Sequence, residues 1–235
     1  MHFGGKRIGL FVVLLLVACA TGSTQDAPPG AATSAGRDGA GPDSKRHYLR
    51  DVVFPGRGDT FLIHWGKRKM PLEVYLPEPP PGLFEDPEAV VDVVRDGILD
   101  WTDVVGPGVP SFVFVADQGD ADIPIVWAEE PDGDWYIAFC AYDINVAQLR
   151  MGVSHILVTG RWGDGRVASF EEIYLVVLHE MGHALGLGGH SRDPRDIMYP
   201  SISGGARGLS PADRLTLKKL YKHGSRRYSG RRGRG

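Results

Sequence analysis

The sequence has little of what defines several common protein classes. It has two cysteines among 235 residues, which excludes a scaffold held together by many disulfides. Its N-terminal apolar run, Ile8 to Ala18, spans 11 residues and is too short to cross a bilayer. A formal net charge of −3 is too small to indicate a nucleic-acid partner, and no internal repeat predicts a solenoid. The length then allows one domain or two small ones.

Glycine and proline are abundant instead, with 32 and 17 residues. Five tryptophans, eight tyrosines and nine phenylalanines nevertheless indicate a real hydrophobic core, because a wholly disordered chain has few aromatics. The two observations agree only if glycine and proline are concentrated in particular segments of the chain.

The first such segment follows an export signal. Lys6 and Arg7 precede the short apolar run, a pattern typical of a secretory signal peptide over residues 1–18. The end of the run, Leu16-Val17-Ala18-Cys19, resembles the lipobox of bacterial lipoproteins, in which the chain is cut before a cysteine that carries the lipid. The resemblance implies an exported protein whose Cys19 anchors it to the bacterial cell membrane or outer membrane, with the folded domain outside the cytoplasm. The alternative is an ordinary signal peptide that contains a cysteine.

Residues 19–50 are predicted to form a flexible tether. From Ala20 to His47 there is no Val, Ile, Leu, Met, Phe, Trp or Tyr, so this stretch has nothing to bury in exchange for its ordering entropy. Residues 223–235 are predicted to be a disordered basic tail, which is either simply solvated or in contact with anionic lipid or polysaccharide. A single folded domain over residues 51–222 remains between them.

Within that domain the pattern predicts an α+β fold. Short β-branched or aromatic runs predict about five strands, and Asp86-Pro87 opens a helix that continues to Trp101. Two more helices begin at the capping residues Ser169 and Ser210. The predicted strands are Leu72 to Leu76, Ser111 to Val115, Ile123 to Trp127, Tyr136 to Tyr142 and Ser154 to Val158.

The helix after Ser169 carries the most informative motif of the chain. His179 and His183 lie one helical turn apart, a spacing at which two imidazoles can bind one ion, and Glu180 lies beside them. This is the His-Glu-x-x-His signature of zinc peptidases. Zinc in such a site takes three protein ligands and leaves one position open. His190 is the candidate third ligand, because the glycines after the helix let the chain turn back, and Asp193 is the alternative.

These residues, with Gly186 and a later Ile197-Met198-Tyr199-Pro200, resemble the matrixin family of the metzincin clan. The resemblance implies a zincin-like fold with a twisted mixed sheet, an active-site helix and a C-terminal helix. It implies one catalytic Zn²⁺ on His179, His183 and His190, with Glu180 as the general base. By the same resemblance Met198 forms the floor below the metal, and Tyr199 and Pro200 form a wall of the S1′ pocket.

One departure from the family pattern affects the third ligand. Three residues, Leu187-Gly188-Gly189, separate Gly186 from His190 where the family has two, and we place the extra residue in the glycine turn. A second zinc at Cys140 and His155, or calcium at the Asp132-Gly133-Asp134 and Gly163-Asp164-Gly165 turns, has no further support in the sequence.

The resulting hypothesis is a zinc-dependent endopeptidase that hydrolyses protein substrates at the cell surface or in the envelope. We expect a monomer that acts on proteins or peptides, contacts the membrane through its N-terminal lipid and binds no nucleic acid. Two alternatives stay open at this point: a noncatalytic zinc-binding surface module of the same fold, and a peptidase that acts on peptidoglycan cross-links.

Overall fold

The described part of the chain contains two sheets and three α-helices. A computed structural model describes residues 45–56, 59–128, 137–202 and 205–229. The strands are β1 (Phe54–Pro55), β2 (Asp59–Leu62), β3 (Leu72–Tyr75), β4 (Phe112–Val115), β5 (Ile123–Trp127), β6 (Ala138–Asn145), β7 (Arg150–Val158) and β8 (Arg226–Ser229). The helices are α1 (Pro87–Leu99), α2 (Phe170–Ala184) and α3 (Pro211–His223).

The larger sheet has five strands in the order β4-β3-β5-β7-β6. All neighbouring pairs are parallel except β6 and β7, which form an antiparallel hairpin. The predicted α+β fold with a mixed sheet of about five strands is therefore confirmed. Because β6 is the last strand in this order, it lies at one edge of the sheet, and it contacts α2.

All three helices begin where the sequence predicts them. Asp86 caps α1 by accepting a hydrogen bond from the amide of Ala89, with Pro87 in the first turn. Ser169 and Glu172 form a complete capping box at α2, and Ser210 and Asp213 form another at α3. These reciprocal bonds satisfy amides that a helix start leaves unpaired.

Helix α2 is buried on nearly all sides. Nearly every residue from Ile173 to Ala184 is buried, including His179, Glu180 and His183. The helix packs against α1 on one side, where Gly97 lets the two backbones approach, and Trp101 donates an indole hydrogen bond to the carbonyl of Leu178. A helix surrounded in this way holds its polar side chains in fixed positions.

Both predicted ends of the domain need correction. The tether was expected to continue to residue 50, but Tyr48 and Leu49 are buried in the core and Arg46 pairs with Asp196. The tail was expected to be disordered from residue 223, but β8 pairs with β2 in a three-stranded sheet of order β1-β2-β8. Composition alone misses both, because the partners lie more than a hundred residues away. Residues 1–44 and 230–235, with the signal peptide and Cys19, lie outside the described residues.

Among the residues that the structure describes, no helix has both the length and the apolar character needed to cross a membrane.

Candidate metal centre

Two histidines of α2 point their ring nitrogens at the same place. His179 Nδ1 lies 2.7 Å from the carbonyl oxygen of Ile197, and His183 Nδ1 lies 2.5 Å from that of Leu187. A carbonyl only accepts hydrogen bonds, so each Nδ1 must carry the proton. Each Nε2 is then a free lone pair, and the two lie 3.1 Å apart. Backbone acceptors of this kind fix the tautomer and orientation of metal-binding histidines.

His190 completes the cluster. Its ring centroid lies 5.3 Å from that of His179 and 5.0 Å from that of His183, and the three potential ligand atoms lie within 4.8 Å of one another. Its Nε2 is buried and has no hydrogen-bond partner among the described residues. The extra residue in the preceding turn therefore does not keep this histidine away from the other two.

The glycines of this turn are required by its close approach to neighbouring residues. Gly186 leaves the helix at a φ of +109°, and a Cβ there would lie 2.4 Å from the carbonyl oxygen of Ile63. Gly188 and Gly189 lie against the N-terminal segment, where added Cβ atoms would meet the Phe54 ring at 2.7 Å and the Asp51 carbonyl at 2.2 Å. Absence of side chains thus lets the turn pack closely while it returns to the site.

The electrostatics of the cluster fit a cation. Burial lowers the pKa of His179 to about 3 and that of His190 to about 4, and burial with the two neighbouring imidazoles lowers that of His183 as well. The rings are therefore neutral, as zinc ligands must be. Nitrogen lone pairs that face each other without a proton between them repel, and a metal ion removes that repulsion. The residues present fit a zinc ion.

Glu180 lies on the same helix and is not part of the cluster. It is buried, and its Oε2 has no hydrogen-bond partner among the described residues. Burial raises the pKa of Glu180 to about 8, although the amide of Cys140 on β6 donates to the carboxyl group and opposes the shift. The carboxyl group is thus held from one side and free on the other.

Met198, which the resemblance predicts to form the floor below the metal, packs against the helix that carries His179 and His183. Its side chain is fully buried, and a Cβ at Gly182 would lie 2.3 Å from its sulfur. The glycine inside the His-Glu-x-x-His motif thus makes room for this methionine. The preceding residue, Ile197, supplies the carbonyl that orients His179.

Two buried carboxylates hold this methionine segment, and the sequence did not identify either as a site residue. Asp196 accepts two hydrogen bonds from Arg46, at 2.6 and 2.5 Å, and others from the hydroxyls of Ser191 and Ser210. Ser191 directly follows His190, so Asp196 also positions the third histidine.

The second carboxylate, Asp213, connects the same segment to α3. It accepts hydrogen bonds from the amide of Ile197 at 3.0 Å, from the amide of Ser210 at 2.7 Å and from the hydroxyl of Tyr48. The capping box of α3 accounts for only part of these contacts. Nothing in the local sequence points to Arg46, because its partner lies 150 residues away.

The remaining metal predictions find no supporting geometry. Asp193 pairs with Arg195 at 2.7 Å and with Arg46 at 3.4 Å, away from the histidine cluster. Cys140 and His155 point to opposite faces of the sheet, because Cys140 pairs with the buried Ile156 while His155 pairs with Ala141. They cannot share an ion.

The two predicted calcium turns and the predicted S1′ wall complete the set of sequence-derived sites. Asp132-Gly133-Asp134 lies outside the described residues, and Gly163-Asp164-Gly165 is not part of any group of three potential ligands among those described.

The predicted S1′ wall directly follows Met198 in the chain. Tyr199 is half-buried and Pro200 is exposed. Both remain accessible from solvent, as the wall of a substrate pocket must be.

Helices that carry two zinc-binding histidines occur in several folds, so the features around them decide the class. Here the third histidine returns through a glycine turn, and a methionine packs against the glycine that precedes His183 in the helix. Combined with the mixed five-stranded sheet, these features are those of the metzincin fold. The peptidase M10 matrixin model matches residues 78–222, more than half of the sequence, so the chain belongs to the matrixin family.

Individual relatives agree with this assignment. The chain is 35% identical to matrilysin of Felis catus over 113 residues, which cover 44% of this chain and 42% of matrilysin. It is 30% identical to macrophage metalloelastase of Rattus norvegicus over 171 residues, 67% of this chain and 33% of the relative. Karilysin of Tannerella forsythia is 28% identical over 138 residues, 55% of this chain and 28% of karilysin. In each case the chain spans less than half of the relative's length.

The third ligand gives the first prediction. In His190→Ala, we expect bound zinc to fall well below one ion per chain, because two imidazoles alone bind zinc weakly. Atomic absorption after dialysis against a weak chelator measures the stoichiometry. His155→Ala is the matched control and should keep its zinc, since this histidine faces away from the core. Full occupancy in His190→Ala would show that another residue is the third ligand.

The ion pair between Arg46 and Asp196 gives the second prediction. Arg46→Gln leaves the fully buried Asp196 without its cation, and we expect the free energy of unfolding to fall by about 2 kcal/mol. Zinc affinity should fall with it, because Asp196 positions Ser191 next to His190. Urea denaturation and zinc titration measure the two effects.

The control for that variant is Arg195→Gln, which removes an exposed arginine paired with Asp193 on the same loop. Because solvent screens an exposed pair of this kind, we expect Arg195→Gln to have much less effect on stability than Arg46→Gln. Equal effects of the two substitutions would contradict the positioning role of Arg46.

Proposed function

We propose that the protein is a zinc-dependent endopeptidase that hydrolyses peptide bonds of proteins at the cell surface or in the envelope. The observation that carries this proposal is the position of Glu180, with one free carboxyl oxygen buried beside three neutral histidines. Membership of the matrixin family supports metalloendopeptidase activity at the level of the family. When bound by the three histidines, zinc would supply the Lewis acid that polarises the scissile carbonyl and acidifies water.

Glu180 performs the proton transfers in this proposal. In its ionised form, which a cation on the neighbouring histidines would favour, its free oxygen accepts a proton from the attacking water and then delivers it to the leaving amine, which is general acid–base catalysis. The amide of Cys140 holds the other side of the carboxyl group, so the side chain needs little reorganisation during the reaction. Burial in α2 excludes bulk water from the group.

The substrate binds along β6 in this proposal. Among the described strands β6 has only β7 as a neighbour, so its outer edge presents unpaired backbone groups. An extended peptide that adds to this edge satisfies those groups by β-augmentation. Cys140 lies within β6 and contacts Glu180, so a peptide paired there passes the catalytic carboxyl group. Tyr199 and Pro200 then form a wall of the S1′ pocket.

The proposed cellular location rests on the N-terminal sequence. Cleavage before Cys19 and lipidation of its thiol would leave the domain on the outer side of a membrane, attached through residues 20–44. Proteins or peptides of the envelope or the surroundings are then the available substrates, and we keep the expectation of a monomer.

The alternative of a noncatalytic zinc module is less well supported. A structural zinc site is normally closed by four protein ligands, whereas the cluster here offers three. A structural site also gains nothing from a buried acid without a hydrogen-bond partner on one oxygen. A peptidase for peptidoglycan cross-links would use the same site and differs only in substrate.

Glu180→Gln tests the catalytic assignment. The substitution keeps the shape of the side chain but removes its basicity, so we expect kcat/KM on a peptide library to fall by about 10²–10⁴-fold. Zinc content should not change, because Glu180 is not part of the ligand cluster. Glu171→Gln is the matched control, since this exposed glutamate lies in the first turn of the same helix.

The same assays separate the alternatives. Loss of cleavage in a zinc chelator and recovery on adding zinc support the peptidase. Undiminished cleavage by Glu180→Gln would refute the role of Glu180. A wild-type protein that binds zinc but cleaves neither proteins nor peptides would favour the noncatalytic module, and cleavage restricted to cross-linked peptidoglycan would assign that substrate.

Mass spectrometry of the mature N-terminus tests the anchor. We expect the first residue to be Cys19, with a mass increase that corresponds to attached lipid. Cys19→Ser should abolish that mass and release the protein from membranes. An unmodified mature terminus located after Cys19 would refute the lipoprotein proposal while leaving the peptidase proposal intact.

A further inference from the structure

The C-terminal half of α3 presents a face whose charged residues are all basic. Lys218 and Lys222 are exposed and lie one helical turn apart, and Lys219 and His223 form a second row at the same spacing. The sequence from Lys218 to His223 contains no acidic residue, and the only acid of this helix, Asp213, is buried.

The N-terminal segment extends this face. Arg50 is exposed, and His47 lies close enough to Lys219, Arg50 and His223 for their charges to act on it. Its pKa is lowered by burial in the first place and then by these three positive neighbours. We define the basic surface as Arg50, Lys218, Lys219, Lys222 and His223, together with His47.

The positive charges of this surface are not neutralised within the fold. In the part of the chain that the structure describes, none of its residues takes part in an ion pair. The nearby acids have other partners: Asp51 pairs with Arg192, and Asp59 pairs with Arg227. Arg214, one turn earlier on α3, is not included because its charge acts on Tyr174, whose hydroxyl donates to Asp100.

Four positive groups, Arg50 and the three lysines, lie together in a chain of net charge −3, which is an uneven distribution. Such a surface attracts an extended array of negative charge more strongly than a single anion, because each positive group near the array adds to the attraction. Anionic phospholipid headgroups form an array of this kind.

The point at which the N-terminal segment joins the fold favours a membrane over other polyanions. The chain enters the described structure at Lys45, two residues before His47 of the basic surface. A lipid on Cys19 would therefore be connected to the fold at this surface. We propose that the basic surface binds directly to the anionic phospholipid headgroups of a membrane. The proposal does not depend on peptidase activity, but its choice of a membrane over other polyanions rests on the proposed lipid on Cys19.

The test uses residues 20–235, which keep every residue of the described fold and lack the signal and the lipid. We expect this protein to sediment with vesicles of 30% phosphatidylglycerol in phosphatidylcholine and not with phosphatidylcholine alone. Binding should weaken strongly between about 0.05 and 0.5 M salt, because screening shortens the range of the attraction.

The variant that removes the surface is Lys218→Gln, Lys219→Gln and Lys222→Gln. Each basic residue near an anionic surface contributes about fivefold to binding, so the partition coefficient should fall on the order of a hundredfold. Cleavage of a soluble peptide should not change, since none of the three lysines is in the proposed catalytic machinery.

The matched control removes the same charge elsewhere, with Arg95→Gln, Arg150→Gln and Arg161→Gln on α1, at the start of β7 and after β7. The partition coefficient of this control variant should fall by less than about threefold. An equal loss in both variants would overturn the proposal in favour of net charge alone.

Three other results would also overturn the proposal. One is failure of the wild-type protein to bind phosphatidylglycerol vesicles. Another is a loss of binding that occurs only when residues 230–235 are deleted, which would assign binding to the tail. The third is tighter binding to soluble polyglutamate than to vesicles at equal charge concentration, which would identify an acidic polymer as the partner. Circular dichroism confirms that the variants are folded before each comparison.

Discussion

The rest of the site depends on the hydrogen bonds that the buried carboxylates Asp196 and Asp213 accept. Between them they bind both sides of the segment that carries Met198, through Arg46, Tyr48, two serines and two backbone amides. A buried charge is costly unless it is paired and hydrogen-bonded, and here each carboxylate is satisfied by groups from distant parts of the chain. The cost of leaving either one unpaired makes the arrangement of its donors specific.

The segment that these carboxylates hold is directly connected to two of the three clustered histidines. The carbonyl of Ile197 orients His179, and Ser191 follows His190 directly, so two of the three ligands are positioned by the segment that the carboxylates hold. The third, His183, is oriented by the turn after its own helix. The site is thus preorganised by backbone groups, which have less freedom than side chains, and the helix itself is fixed by burial on nearly all sides.

The sequence predicts what depends on local spacing and misses what depends on long-range contacts. Helix caps, the strands of the main sheet and the pair His179 and His183 follow from residues close together in the chain, and the structure contains each of these elements. Arg46 and the strand β8 lie in segments whose composition predicts disorder, and their partners are distant in sequence. The glycine pair was correctly located at the turn, but its reason is contact with Asp51 and Phe54, which no local pattern shows.

The docking of residues 46–54 makes the start of the folded domain a defined boundary. A protease that cuts the chain before Arg46 would separate the folded domain from the residues that precede it with all of these contacts retained. A cut only a few residues later, after Tyr48, would remove the guanidinium from Asp196 and the hydroxyl from Asp213 together. The first cut would therefore leave a domain in which both buried carboxylates keep their partners, whereas the second would leave both without one of them.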